Sequence, residues 1–540
     1  MTNRLTRAEI LRRAAVGGAA AAAPGLFTGT ARGAATRPAL QVNGNKPKVN
    51  YLSAFSTRVG QHSRTAYYPV GGGQGAAAVA MVIDEILVGE KAMPYFRALF
   101  RDLIKKKKQL VDTGHTVFEG LKPKASEDVH IWRLKKTNRF GKQSHPDVAM
   151  LVWEARKKLP SKIPPEQVAP NHVLIPSPNY HTCPGGPPEP HAIEPFPSRE
   201  PSAGPKVVVI DSGYVDDGWV FYEKWIDELD RGQWFSGTPI PGSTPARFRA
   251  PYTWTAEPPE PRFITVTEAD MENHLATLVA HANFVVGVIA QACPQAQITL
   301  VNHNGGFIES DDTETPIPTE ASVARSLLTY RDAAAVINVG FAFPTLPRQP
   351  SVLKPPVPSW PFELALRGMS STTMVVAPAG NQNCPVPQYP AAFHLDKRHR
   401  NVIGVGSIAP HPNGPPLTKS DFSNYGSANY GPWVACCTEG EDVLSSFITH
   451  WVGKTEDAEL ANNPGGYPKG SYPPKNFTTN WALWSGTSFA APKVTAAIAC
   501  GVVQGQSPLG AWLALPANPP DPALATTLGM GKVLSGLPPA

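Results

Sequence analysis

"KVVVIDSG", Lys206–Gly213, is the stretch that decides the fold. Its four consecutive apolar residues are typical of a strand buried on both faces, and Asp211 closes the run at a Ser-Gly turn. Similar runs follow in "AQITLVNHNG", "AAVINVG", "STTMVVAPAGN" and "NVIGVGSI", with helical patterns in "HLATLVAHANFVVGVIAQA" and "EASVARSLLTYRDA". Such strands alternating with helices predict a doubly wound, mostly parallel α/β sheet for residues 205–540.

Three of these strands end in a polar or small residue: Asp211, Gly340 and Asn381. Since the carboxyl ends of parallel strands face one crevice, these positions should lie together there. Each also has an ordinary structural explanation, because Asp and Asn are common turn formers. An aspartate that ends a buried strand is nevertheless costly unless it is paired, and a histidine N–H is a suitable partner. The pattern indicates a polar crevice and leaves its chemistry open.

The stretch "WSGTSFAAPKVTAAIA", Trp484–Ala499, places Ser488 at the start of a predicted helix. A serine there either caps the helix or uses the N–H groups and dipole of the helix to stabilise negative charge on a substrate. As a nucleophile it needs a base that a third group holds in place. His281 is a candidate base, although a histidine buried in the core is the alternative. The residues alone leave both questions open.

Four segments taken together resemble one family, the subtilisin-like serine peptidases or subtilases. "VVVIDSG" is similar to the family's aspartate strand, "HANFVVGVIA" to its histidine helix, "VVAPAGN" to its oxyanion asparagine and "GTSFAAP" to its serine helix. Their order along the chain, Asp-His-Asn-Ser, is also that of the family. The resemblance covers Lys206–Gly501 and rests on four separate motifs.

This resemblance implies a secreted serine endopeptidase that hydrolyses peptide bonds in polypeptide substrates through an acyl-enzyme. Asp211, His281 and Ser488 would form the catalytic triad, and Asn381 would form the oxyanion hole with the Ser488 backbone N–H. The resemblance also implies two stretches that line the substrate groove. Gly340, Phe341 and Ala342 would lie along one wall of the groove, and together with Pro378, Ala379 and Gly380 they would line the primary pocket.

The histidine motif departs from the family pattern. The family usually has HGTHVAG, whereas His281 is followed here by Ala282, Asn283 and Phe284. This departure favours an alternative of a different class, a catalytically impaired binding or scaffold protein on the same fold. A third possibility, a Ser-Glu-Asp carboxyl peptidase, would need a glutamate where His281 stands.

Residues 76–177 predict a small α+β unit with the order β-α-β-β-α-β. The predicted strands are "AAAVAMVIDEILVG", "HTVFEGLKP", "EDVHIWRLKK" and "NHVLIP", and the predicted helices are "EKAMPYFRALFRDLIKKKK" and "HPDVAMLVWEARKKL". This order resembles that of subtilase propeptides, which implies a zymogen with its own propeptide as intramolecular inhibitor. Residues 178–204 are rich in proline and predict an exposed linker.

Residues 1–35 predict an export signal, with a basic lead before the apolar run Ala14–Phe27. The route, general or twin-arginine, stays open because Ala8 stands where the second arginine would be expected. The protein is therefore expected to be secreted or extracytoplasmic, with no stable membrane span in its mature form. Residues 36–75 are expected to be irregular.

The composition is that of a globular protein, with 42% hydrophobic residues and a net charge of only +6. The densest cationic run, Lys105–Lys108, is interpreted as a solvated helix face, with an anionic partner as the alternative. A monomer with no nucleic acid partner is expected. Six cysteines allow at most one or two disulfides, and adjacent Cys436 and Cys437 rarely bond to each other. No spacing indicates a metal site, and no cofactor is required. The resemblance allows structural calcium without assigning ligands.

Overall fold

The described part of the chain covers most of both predicted units. The computed structural model describes residues 65–70, 77–106, 108–121, 127–135, 148–174, 189–192, 204–211, 228–230, 234–235, 238–239, 274–275, 281–302, 319–348, 356–367, 369–370, 372–409, 418–447, 451–455, 475–477, 481–516, 530–534 and 537. Within these residues, no helix is both long and apolar enough to cross a membrane. The predicted export signal, residues 1–35, lies outside them, as does most of the predicted linker, residues 178–204.

The described residues between 65 and 174 form an N-terminal unit. Its elements are β1 (Thr65–Val70), β2 (Ala77–Gly89), α1 (Met93–Leu99), β3 (Leu110–Thr116), β4 (Val129–Leu134), α2 (Val148–Lys158) and β5 (Val168–His172). The strands are antiparallel, β2 lies between β5 and β4, and β3 flanks β4. β1 pairs with the first half of β2. From β2 onward the order is the predicted β-α-β-β-α-β.

Several element ends in this unit differ from the prediction. The helix predicted from Glu90 begins at Met93, and after Leu99 the chain forms a π-helical segment, Asp102–Lys106. The strand predicted in "HTVFEGLKP" starts earlier and ends at Thr116, where its pairing with β4 stops. The strand predicted in "NHVLIP" likewise lies earlier, at Val168–His172. Residues 36–75 were expected to be irregular, but they contain β1. Pairing between strands, which a local pattern does not record, sets these ends.

The remaining described elements form the second unit. They are β6 (Glu189–Pro190), β7 (Lys206–Asp211), β8 (Glu228–Asp230), β9 (Trp234–Phe235), β10 (Thr238–Pro239), β11 (His274–Leu275), α3 (His281–Ala292), β12 (Gln297–Asn302), α4 (Glu320–Tyr330), β13 (Val336–Val339), α5 (Trp360–Leu366), β14 (Met374–Pro378), β15 (Val402–Ala409), β16 (Thr418–Lys419), β17 (Val434–Glu439), β18 (Val443–Ser446), β19 (Trp451–Thr455), β20 (Lys475–Phe477), β21 (Trp481–Trp484), α6 (Thr487–Val503), α7 (Pro508–Ala514) and β22 (Met530–Val533).

A nine-stranded sheet organises this unit. Its strand order is β22-β17-β15-β14-β13-β7-β12-β8, and these eight strands are parallel, while β16 pairs antiparallel with β15. Side chains alternate between two cores: Val207 and Val209 of β7 pack with α3, whereas Val208 and Ile210 pack with α4 and α5. Helices therefore cover both faces of a mostly parallel sheet, and the predicted doubly wound α/β fold is confirmed.

The N-terminal unit packs on α4 and α5. Leu87 and Ile131, on one face of its sheet, belong to the same core cluster as Val323 of α4 and Phe362 of α5. Ile86 and its neighbours on the opposite face pack instead with α1 and α2. One face of the small sheet thus completes its own sandwich, and the other continues the core of the second unit.

Two predictions for the second unit were wrong at particular segments. The helical run predicted from His274 starts only at His281, and His274–Leu275 instead pairs with β19. Part of the predicted exposed linker, Glu189–Pro190, adds a strand to β21. Backbone hydrogen bonding to distant strands overrides the local pattern in both places.

Candidate active site

Asp211 and His281 meet at the carboxyl edge of the parallel sheet. Asp211 is the last residue of β7, and His281 is the first residue of α3. The Nδ1 atom of His281 lies 2.7 Å from Oδ1 of Asp211, and both side chains are buried. Because a carboxylate only accepts hydrogen bonds, Nδ1 carries the proton and Nε2 is left to act as a base. The buried aspartate has the histidine partner that the sequence predicted.

Gly340 lies directly against the Asp211 carboxylate. A Cβ atom at this position would be 2.6 Å from Cγ of Asp211 and closer still to Oδ2. The Gly340 N–H donates to the Ile210 carbonyl at 2.8 Å, so the backbone is fixed beside β7. Only glycine leaves room for the acid here. Sequence reasoning placed Gly340 on the substrate wall, and the structure gives it this additional packing role.

Aromatic rings surround the imidazole. The ring of His281 lies 5.4 Å from Phe489 and 5.9 Å from Trp484, between centroids. Phe284, one of the residues that departs from the family motif, packs 4.4 Å from Phe489 and 5.5 Å from Trp484. The unusual phenylalanine therefore belongs to the apolar cluster that packs around the base.

Two serines of β18 hold the first turns of α3. The hydroxyl of Ser445 donates to the Phe284 carbonyl at 2.7 Å, and that of Ser446 donates to the Asn283 carbonyl at 3.1 Å. A side chain at Gly287 would collide with both serines. These bonds fix the helix that carries His281 against a neighbouring strand.

Ser488 is the second residue of α6 and is buried. The N-cap of this helix is Gly486, with no side-chain capping bond, so the interpretation of Ser488 as a helix cap was wrong. The first N–H groups of a helix have no acceptor within it, and the helix dipole favours negative charge there. Phe489, the next residue, contacts His281, which brings the start of α6 beside the base.

Asn381 is anchored through its side-chain oxygen. Its Oδ1 accepts hydrogen bonds from the backbone N–H and the hydroxyl of Thr487, at 2.9 and 2.8 Å. The Thr487 hydroxyl in turn accepts from the Gly380 N–H at 3.0 Å. Because Thr487, the residue before Ser488, holds the carbonyl end, the amide NH₂ is the donor end of this side chain. This is the orientation that an oxyanion donor needs.

Asn424 ties the same loop to the scaffold. Its Oδ1 accepts from the N–H groups of Gln382 and Cys384, both at 3.0 Å, and its Nδ2 donates to the Ala379 carbonyl at 2.9 Å. Sequence reasoning missed Thr487 and Asn424 as positioning residues. Both stand inside segments, "GTSFAAP" and "SDFSNYG", whose resemblance was evident without indicating these roles.

The predicted substrate residues differ in burial and in backbone conformation. Phe341 and Ala379 have buried side chains within the main core cluster, so only their backbone atoms are placed to contact a substrate. Gly340 and Ala342 are half-buried. Pro378 ends β14, and Gly380 follows with a φ of +95°, in the region that favours glycine.

Glu363, Asp396 and His399 form a cluster whose potential ligand atoms lie within 4.8 Å of one another. Both carboxylates already have cationic partners: Arg398 contacts Glu363 and Asp396, and Arg367 contacts Glu363 at 3.1 Å. Burial opposes ionisation of Glu363, but the hydrogen bond from His399 and these charges lower its pKa overall. With guanidinium groups in place, the cluster fits an ion-pair network and does not fit a metal site.

Comparison with known proteins identifies one family. The model of the subtilase family matches residues 241–507, which include His281, Asn381 and Ser488 and begin after Asp211. No curated protein matches the chain.

Solved structures similar to the chain include three proteases. The patellamide maturation protease PatA has 19% identity and a TM-score of 0.34, covering 61% of this chain and 94% of its own. Fervidolysin from Fervidobacterium pennivorans, a keratinolytic enzyme related to subtilisin, has 14% identity and a TM-score of 0.42, covering 79% and 56%. A cold adapted subtilisin-like serine proteinase has 17% identity and a TM-score of 0.35, covering 65% and 96%. The chain therefore contains a subtilase-family domain at residues 241–507.

Proposed function

We propose that this chain is a secreted serine endopeptidase that cleaves polypeptides through an acyl-enzyme. The observation that carries the proposal is the buried Asp211–His281 pair, 2.7 Å apart, whose imidazole contacts Phe489 near the start of the helix that bears Ser488. His281 takes the proton of the Ser488 hydroxyl as its oxygen attacks the peptide carbonyl, and Asp211 stabilises the imidazolium that forms. His281 then returns the proton to the leaving amine, and water repeats the sequence to release the acyl group.

The oxyanion is held by two donors in this proposal. These are the amide NH₂ of Asn381 and the backbone N–H of Ser488, which also has the favourable dipole of α6 behind it. The anchoring of Asn381 by Thr487 supports this role because the amide is oriented before substrate binds. Loss of one such donor typically costs about 3–4 kcal/mol in the transition state.

We further propose that the N-terminal unit is an intramolecular inhibitor released by self-cleavage. Its support is a set of polar contacts with the second unit. Arg156 donates through Nη1 to the carbonyls of Leu346 and Pro347, both at 2.9 Å. His172 contacts the Glu320 carboxylate through Nδ1 and accepts from the Leu346 N–H at 2.9 Å. These buried contacts give the association specificity as well as apolar area.

Labelling with a fluorophosphonate probe tests the nucleophile. We expect the wild-type chain and a Ser485→Ala control to be labelled, and Ser488→Ala to remain folded and unlabelled. Ser485 is a suitable control because its hydroxyl accepts a hydrogen bond from the Asp442 N–H at 2.9 Å, a contact outside the proposed triad. Persistent labelling of Ser488→Ala would refute the assignment. A folded wild type that neither labels nor clears casein would instead support the scaffold alternative.

N-terminal sequencing tests maturation. We expect the wild-type protein to lose its N-terminal unit, and Ser488→Ala to retain it under the same conditions. Equal processing of both proteins would show that another peptidase makes the cut and would contradict self-cleavage.

A further inference from the structure

Cysteines occur at matching distances from the base and the nucleophile, with Cys293 directly after α3 and Cys500 within α6. Cys293 follows His281 by 12 residues (293 − 281), and Cys500 follows Ser488 by 12 residues (500 − 488). The helices lie side by side in the same direction, because His281 contacts Phe489 near their starts and Cys500 contacts Ala292 near their ends. At about 1.5 Å per residue, the cysteines are about 18 Å along the helices from the catalytic side chains.

The two cysteines are neighbours in the fold. The Sγ atom of Cys500 lies 3.2 Å from the carbonyl oxygen of Ala292, the residue before Cys293, and the two cysteine side chains hydrogen-bond to each other. Cys293 is fully buried, whereas Cys500 is partly exposed at the edge of the same core cluster. The pair therefore combines a partly exposed cysteine with a buried cysteine adjacent to it.

Their electrostatics suit a stepwise reaction. The hydrogen bond from the Cys293 thiol lowers the pKa of Cys500 against the opposing effect of burial, and the same bond, with burial, raises the pKa of Cys293. The exposed sulfur is thus the better nucleophile, because the thiolate is the reactive form.

The other described cysteines lack such a partner arrangement. Cys436 and Cys437 are neighbours on β17, and their side chains pack into different core clusters on opposite faces of the sheet. Burial raises the pKa of Cys384 and of Cys437 to about 12 in each case. All three behave as inert core residues, so they serve as internal controls.

We propose that Cys293 and Cys500 form a disulfide that clamps the distal ends of α3 and α6. The oxidant is a disulfide compound, either oxidised glutathione or a dithiol oxidoreductase. The Cys500 thiolate attacks one sulfur of the oxidant, forms a mixed disulfide and releases one thiolate. Cys293 then loses its proton, and its sulfur attacks Cys500 and expels the second thiol. Two protein thiols thereby lose two electrons and two protons, and the oxidant's disulfide becomes two thiols.

The clamp would act on the relative position of the catalytic helices. It closes a loop of 207 residues (500 − 293), and long loops give the largest loss of freedom in the unfolded chain. It also prevents α3 and α6 from sliding past each other, which preserves the approach of His281 to the start of α6. The proposal does not depend on peptidase activity, since it rests on the two thiols alone.

Peptide mapping tests the bond in the full-length Ser488→Ala chain, which avoids self-cleavage. The protein is incubated with oxidised glutathione, denatured with N-ethylmaleimide and digested with trypsin. Tryptic peptides 263–325 and 494–532 each contain a single cysteine, Cys293 and Cys500 respectively. We expect one linked species, two hydrogens lighter than the sum of the two peptides, while Cys384, Cys436 and Cys437 carry maleimide. Maleimide on both Cys293 and Cys500, or glutathione left on Cys500 alone, would overturn the proposal.

Thermal unfolding tests the clamp. We expect oxidation to raise the apparent Tm of the Ser488→Ala chain by about 5 °C over the dithiothreitol-reduced protein. A Cys384→Ala control should keep this redox shift, and a Cys293→Ala/Cys500→Ala variant should lose it. A redox shift that survives in the double variant, or no shift in its parent, would contradict the clamp. Should the double variant fail to fold, the peptide map remains decisive.

Discussion

Replacing Gly340 with alanine should displace the proposed catalytic acid, Asp211, and so impair it without changing its own side chain. The new Cβ would lie 2.6 Å from Cγ of Asp211, and ordinary contact begins at 3.4 Å, so the carboxyl carbon must move by at least 0.8 Å (3.4 − 2.6). Asp211 is short and buried and bonds His281 at 2.7 Å, so the displacement falls on that bond. A shift of about 1 Å costs roughly 10²-fold in rate, and loss of the acid's orienting role costs up to about 10⁴-fold. These factors correspond to about 2.7–5.4 kcal/mol in the barrier.

The rate of fluorophosphonate labelling is the appropriate assay, because it reports activation of Ser488 without requiring a known substrate. Casein hydrolysis provides a second readout on the same preparations. Gly406→Ala is the matched control: its Cβ would first meet the terminal methyl of Met530, the far end of a flexible side chain. We expect Gly340→Ala to lose 10²-fold or more and Gly406→Ala to stay within about threefold of wild type.

A double mutant separates this explanation from a general packing defect. If Gly340→Ala acts by displacing Asp211, combining it with Asp211→Asn should be no slower than Asp211→Asn alone. Multiplicative losses would show that the glycine acts elsewhere, for example on the substrate wall where the sequence placed it. A folded Gly340→Ala protein with nearly normal labelling would refute the reasoning and remove the main structural support for Asp211, which lies outside the family match at 241–507.

Three further predictions follow from the contacts around the site. Thr487→Val should slow labelling by about 10–10²-fold, because it removes one of the two hydrogen bonds that hold Asn381 and the acceptor of the Gly380 N–H, while Thr487→Ser should keep most of the rate. Arg156→Met should shorten the activation lag of the full chain at least about threefold, because it removes the two buried hydrogen bonds from the guanidinium to the carbonyls of Leu346 and Pro347. An unchanged lag would contradict the proposed inhibitory contact. Burial lowers the pKa of Lys419 from 10.5 to about 8, so between these pH values the unfolded chain binds more protons than the folded chain. The free energy of unfolding in urea, relative to that of Lys419→Met, should therefore rise from pH 8 to 10.5. A fall across this range would contradict the prediction.

The sequence predicts the central sheet well because its strands are buried on both faces. Such strands are unbroken apolar runs, as in Val207–Ile210, and their ends are easy to locate. The polar ends of β7 and β14 then follow from topology, since parallel strands align their carboxyl edges. The four motifs and their order along the chain then give the resemblance to the subtilase family. This part of the fold is encoded locally, one strand at a time.

The remaining features depend on which segments become neighbours. In the sequence, Gly340 is recognisable only as the end of a strand. Its contact with Asp211 arises because β13 pairs with β7. Cys293 and Cys500 are 207 residues apart (500 − 293), and only the parallel packing of α3 and α6 brings them together. Ser488 fits a helix cap by type, and the backbone conformation that makes Gly486 the N-cap decides against it. Contacts of this kind, between residues far apart in the chain, produce no periodic pattern in a single sequence.

The packing of Phe284 changes how its departure from the family's histidine motif is interpreted. Taken alone, Phe284 in place of the family's usual polar residue suggests a weakened base. In the fold, the ring of Phe284 packs with Trp484 and Phe489, and both of those rings contact His281. Since buried rings in contact restrict each other's orientation, the phenylalanine helps to constrain, through Trp484 and Phe489, the imidazole that Asp211 also holds. Phe284 therefore offers a different way of fixing the proposed base, His281, which favours an active peptidase over a catalytically impaired protein.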